Sequence, residues 1–118
     1  MFKFPKNDTN FHWTNHVMSK MVFYGLSPER IKRVIRSPER SEKGIASDTI
    51  AVMQSAGKER GRYEVWVMYA KPKQKKSNIV AGRKIIITAW RYPGTSPVRE
   101  AIPIPTDILE ELKKENLI

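Results

Sequence analysis

The spacing of apolar residues changes period once along this chain, and that change divides it. Between residues 14 and 36 apolar side chains recur at helical spacing, Val17, Met18, Met21 and Val22 in one stripe and Ile31, Val34 and Ile35 in another. Thr14 can cap the first helix, and Gly25 suits the left-handed position just beyond its end. Ser27 can cap the second, with Pro28 in its first turn, Leu26 placed to staple against Ile31, and Ser37-Pro38 to stop it. The two helices, joined by Gly25-Leu26, predict a helical hairpin. His16, Lys20 and Tyr24 recur every four residues, so they line a second stripe beside the apolar one.

From about Ile45 the period is that of strands. Residues 49–54 predict one strand, ending near Ala56-Gly57. Residues 62–70 predict a second, with Tyr63, Val65, Val67 and Tyr69 on one face and Glu64, Trp66 and Met68 on the other. Residues 84–92 predict a third, in which Ile85, Ile87, Ala89 and Arg91 share one face and Lys84, Ile86, Thr88, Trp90 and Tyr92 the other. Residues 71–78 form a charged loop between the last two. No crossover helix is available between the strands, so they read as an antiparallel meander. Phe2, Phe4, Phe11 and Trp13 make residues 1–13 too aromatic for a free tail, and an extended, packed arm is expected. Residues 93–105, with four prolines, should be irregular. Thr106 then caps a last helix, with Asp107 at its positive end and Ile108, Leu109 and Leu112 inward. The expected fold is α+β: one domain over residues 1–118, its arm at 1–13, its core at 14–92, and a proline-rich segment with a C-terminal helix at 93–118. The helical hairpin packs on a three- to four-stranded antiparallel sheet.

A hydrophobic fraction of 40% argues against wholesale disorder in a chain of 118 residues. The absence of cysteine removes disulfides, thiolate catalysis and cysteine-ligated zinc, and suits a reducing compartment. With no long apolar run, a soluble cytoplasmic protein is expected and no membrane partner. Charge changes the picture most. Twenty-two Lys and Arg against 12 Asp and Glu give +10. Such an excess attracts polyanions, RNA and DNA foremost, while acidic proteins and anionic lipid suit it too. The excess is concentrated between Lys58 and Lys84, where nine basic residues face only Glu59 and Glu64.

The order of elements, a helix pair, a three-strand meander and an arginine closing the last strand, resembles the RelE/ParE superfamily of small bacterial toxins. Within it the chain is most similar to BrnT-like proteins and related uncharacterised domains that open with a histidine-bearing helix. The resemblance covers residues 11–92 and rests on Phe11-His-Trp-Thr-Asn-His16 through Tyr24-Gly-Leu-Ser-Pro-Glu-Arg-Ile31, on Val65-Trp-Val-Met-Tyr69, and on Ile85-Ile-Ile-Thr-Ala-Trp-Arg91. It implies a metal-independent endoribonuclease of a toxin-antitoxin pair, acting on RNA free or on the ribosome and neutralised by a protein antitoxin. By resemblance Arg91 matches the family's strand-end arginine, Arg62 the basic residue entering the preceding strand, and His16 the histidine of helix one. Trp90 stands where BrnT-like proteins tend to place the arginine, and a slip of one residue reverses the face of a strand side chain.

Cleaving RNA without a metal requires a base for the 2′-OH, an acid for the leaving group and cations for the phosphorane. His16 is the candidate base, its neutral form favoured near a helix N-terminus; a lone histidine on an amphipathic helix is also commonly structural. Arg91, Arg62 and Arg83 can grip phosphates with forked hydrogen bonds, or be solvated strand ends with a salt bridge to Glu64. Lys20, Tyr24 and Lys84 extend the candidate nucleic-acid surface. Trp90 and Tyr92 can stack on bases, whereas Trp90 and Trp66 can equally pack across strands. His12 and His16 have the spacing of helical zinc ligands, yet no glutamate or cysteine completes a shell, so no metal and no cofactor is expected. A basic module that binds nucleic acid without cutting it is the competing function.

Overall fold

A computed structural model describes residues 4–71 and 83–118. Its elements are β1 (Phe11–Trp13), α1 (Asn15–Tyr24), α2 (Pro28–Arg36), β2 (Arg40–Lys43), β3 (Thr49–Ala56), β4 (Tyr63–Ala70), β5 (Lys84–Pro93) and α3 (Thr106–Lys114). The class is α+β, and the helix punctuation follows the sequence. Thr14 Oγ1 accepts the Val17 amide at 3.1 Å, Ser27 Oγ accepts that of Arg30 at 3.1 Å, and Gly25 is left-handed at φ 68°. Thr106, expected as a cap, is the first helical residue; Pro105 precedes it in the cap position and supplies no side-chain bond.

The expected antiparallel meander is present as β3-β4-β5, and the sheet extends it by one strand at each edge. Among the described residues it has five strands in the order β1-β5-β4-β3-β2, with β1 parallel to β5 and the other pairings antiparallel. Part of the expected N-terminal arm is therefore a strand, Phe11 pairing with Lys84 and Trp13 with Ile86. Helices cover both faces. Val17, Met21, Ile31, Val34 and Ile35 pack on Val52, Val65, Val67, Ile86 and Ala89. Ile108 and Leu112 of α3, with Ile102, pack on Ala51, Met53, Trp66, Met68, Ile87 and Trp90. Trp66 and Trp90 stack 3° from parallel at 5.8 Å, an arrangement that adds about 1 kcal/mol to the area they bury.

Two expectations about faces change. Tyr69 pairs with Ile86 but Met68 with Thr88, so Ile87 is an extra residue in β5. This bulge puts Ile86 with Ala89 on the α1–α2 side, and Ile85 and Ile87 under α3, against the simple alternation. Val22, read as part of the apolar stripe of α1, is 51% exposed, whereas Val17 and Met21 are fully buried. Most of the charged loop at 71–78 lies outside the described residues.

Candidate nucleic-acid interface

The candidate residues fall into three groups along β5. At its start, Arg83 and Lys84 are half-buried beside β1, and the Arg83 Nη2 lies 3.4 Å from His12 Nδ1. Nearby, Asp8 accepts the amides of Asn10 and Phe11 at 2.8 and 2.7 Å; those bonds, with smaller help from Lys32 and Arg83, hold its carboxyl below the usual range.

In the middle, His16 is 4% exposed and spends both ring nitrogens inside the protein. Nδ1 lies 3.0 Å from the Glu115 carboxylate and Nε2 2.9 Å from Thr88 Oγ1. An ionised carboxylate only accepts, so Nδ1 carries the proton and Thr88 donates to Nε2 when the ring is neutral. One turn on, Lys20 sits 2.7 Å from Glu111 and 5.4 Å from the Phe23 ring centre. His16 and Lys20 thus meet Glu115 and Glu111 rung for rung, each pair one helical turn apart, and clasp the end of α3 to α1. Tyr24, the third residue of that stripe, is half-buried between both cores; burial, then Asp107 and Glu111, push its phenol above 10.0. Trp90 is buried under α3, and Tyr92 packs beside it.

The third group stands where β3 ends, β4 begins and β5 finishes. Gln54, Val65 and Arg91 lie in one row across the sheet. Both helices of the hairpin end over this row. Gln54 Nε2 donates to the carbonyls of Ser37 and Arg33 at 2.7 and 3.3 Å; Arg91 Nε and Nη2 donate to those of Tyr24 and Gly25 at 2.7 and 3.3 Å. A cation at a helix C-terminus also meets the negative end of its dipole. The Arg91 guanidinium lies against Tyr63, 4.6 Å from its ring centre, and stays partly exposed. Around it Arg62, Arg60 and Lys58 of the β3–β4 loop are exposed, as are Arg33 and Arg36 on α2.

Arg62 makes no pair with Glu64, contrary to one expectation. Its carbonyl accepts the Gly94 amide at 2.8 Å, while Glu64 is buried and accepts from Trp66 Nε1, Ser96 Oγ and the Ser96 amide. The structure therefore brings Arg62 and Arg91 to one end and sets Arg83 and Lys84 at the other, about 25 Å away along an eight-residue run of strand. Sequence reasoning did not single out Tyr63 as a site residue. Its signal lay in the strand register that sets it opposite Pro93, two places from Arg91. The zinc-like spacing of His12 and His16 spans a strand and a helix whose histidines keep separate partners.

No family model, curated protein or solved structure matches this chain. Among the described residues no helix is long and apolar enough to cross a membrane.

Proposed function

We propose that this protein is a nucleic-acid-binding module that holds the phosphate backbone of RNA at the β3–β4 end of its sheet. The observation that carries this reading is the exposure, around the Arg91–Tyr63 pair, of Lys58, Arg60, Arg62, Arg33 and Arg36 with Glu59 the one acid in the loop. Arg62 and Arg60 can fork onto phosphate, and Tyr63, backed by a cation, offers an aromatic edge to an unstacked base. His16, by contrast, is buried and spends both ring nitrogens on protein groups, so the geometry favours binding over cutting.

A second reading is the metal-independent endoribonuclease of a toxin-antitoxin pair that the RelE/ParE resemblance implies, free or on the ribosome and held by an antitoxin. The convergence of Arg62, Arg91 and Tyr63 at a strand-end rim favours it, with these residues stabilising the phosphorane and some group other than the clasped His16 taking the proton. Both readings are tested by titrating labelled single-stranded RNA at several salt concentrations with EDTA present, then running the RNA on a gel. Intact RNA with salt-sensitive affinity supports the module. Cleavage that disappears in Arg62→Ala, with the fold kept, promotes the nuclease. No binding at low salt overturns both.

A further inference from the structure

We propose that the β2 edge of the sheet is a pairing surface for a second copy of this chain, joining two five-stranded sheets into one of ten. β2 is the outer strand. The Gly44 amide bonds to the Thr49 carbonyl at 2.9 Å, and by the two-residue rhythm of an antiparallel ladder the inward-bonding residues are Arg40, Glu42 and Gly44. Ser41 and Lys43 therefore turn their N–H and C=O groups outward, and both are exposed. Such an edge is a template for another strand unless something covers it.

The charges say which strand fits. Residues 40–42 read Arg-Ser-Glu, a sequence antisymmetric in charge about Ser41. If two copies pair antiparallel about a two-fold axis at Ser41, Arg40 stands opposite the partner's Glu42 and Glu42 opposite the partner's Arg40, while Glu39 is turned inward, its amide bonded to the Met53 carbonyl and its carboxylate to the Ser55 amide. Opposite charges facing across strands stabilise the pairing, and like charges would oppose any register shifted by two. Arg40 is already held by Glu42 at 2.7 Å, Ser96 at 3.0 Å and the Trp66 ring at 5.1 Å, so the pairing adds the partner's Glu42 to a fixed cation. Two of the exposed large apolar residues flank this edge: Ile45 follows β2, and Val98 lies beside it, its carbonyl accepting from Arg40. A two-fold interface uses the same patch twice, and this patch complements itself.

The chain has no cysteine, so single cysteines report the register directly. Under mild oxidation Ser41→Cys should cross-link as a dimer, because residue 41 meets its own copy within disulfide reach, while Lys43→Cys, facing residue 39 of the other copy, should not. Sedimentation should show the wild-type chain as a concentration-dependent dimer. Ser41→Pro removes only an outward amide and should be monomeric with unchanged circular dichroism, its melting no longer dependent on protein concentration. A wild-type chain that stays monomeric at high concentration, equal cross-linking at 41 and 43, or a dimer that survives Ser41→Pro would overturn the proposal.

Discussion

The clasp between α1 and α3 and the rim around Arg91 are built from the same kinds of side chain and do opposite things with them. At the clasp, His16 and Lys20 are buried, and each meets a glutamate of α3 or its cap. At the rim, Arg62, Arg60 and Lys58 are exposed while Arg91 alone is tied, to helix carbonyls and an aromatic face. In a strongly basic chain the position of the acids thus separates structural cations from available ones. The acids of the C-terminal helix neutralise the middle of β5 and leave the far end positive.

The sharpest way to break this contrast is at His16. Replacing it by Ala leaves Thr88 without its partner and a hole between three elements, so His16→Ala should cost about 2–4 kcal/mol and lower the melting temperature by roughly 10 °C. Where still folded, it should bind RNA as the wild type does. Loss of binding in a folded His16→Ala protein would move His16 from the clasp into the site. Arg91 sits between the two behaviours. Arg91→Ala should lose about 1 kcal/mol of stability from the uncapped end of α1 and several-fold in RNA affinity, and Arg91→Lys should recover charge without the fork or the stack. Equal affinity for all three proteins would make Arg91 purely a helix cap.

Lys20→Met sharpens the other side. Only one partner of the ion pair is removed, and the Glu111 left behind is 41% exposed and can return to water, so chemical denaturation should shift by about 1 kcal/mol. The smallest effect concerns pH. Burial raises the phenols of Tyr24 and Tyr69 above 10.0 in the folded protein. Between that value and the folded one the native state holds the proton the unfolded state has lost, so stability is full below pH 10 and declines as pH climbs past it. Tyr24→Phe should flatten that decline in alkaline urea melts; an unchanged slope would assign it elsewhere.

How far these regions could be read from sequence follows from what each depends on. Caps and turns are local, so Thr14, Gly25, Ser27 and Pro28 announced the helices. The strands β3, β4 and β5 announced themselves through β-branched and aromatic runs. β2 did not, since Arg40-Ser-Glu-Lys43 carries no apolar alternation and is held as a strand by Met53, Val52, Ala51 and Ile50 opposite. β1 is three residues long and parallel, a pairing fixed by α1 folding back on the sheet. The bulge at Ile87 is invisible in an unbroken run of isoleucines, yet it decides which of them meets which core. The same limit hid the clasp: His16 and Glu115 lie 99 residues apart, and only the return of α3 joins them. Arg62 and Arg91 could be paired from the chain because both bound strands that pair with each other.

The most direct test of the rim is the salt dependence of RNA binding. Reversing Lys58, Arg60 and Arg62 together to Glu should leave the melting temperature near that of the wild type and weaken binding at least tenfold at low salt. It should also lower the slope of log affinity against log salt by about 2, since each phosphate left without its cation accounts for about 0.7 on a single strand. An unchanged slope and affinity in a folded triple variant would contradict the account and place any nucleic-acid surface away from the end of this sheet.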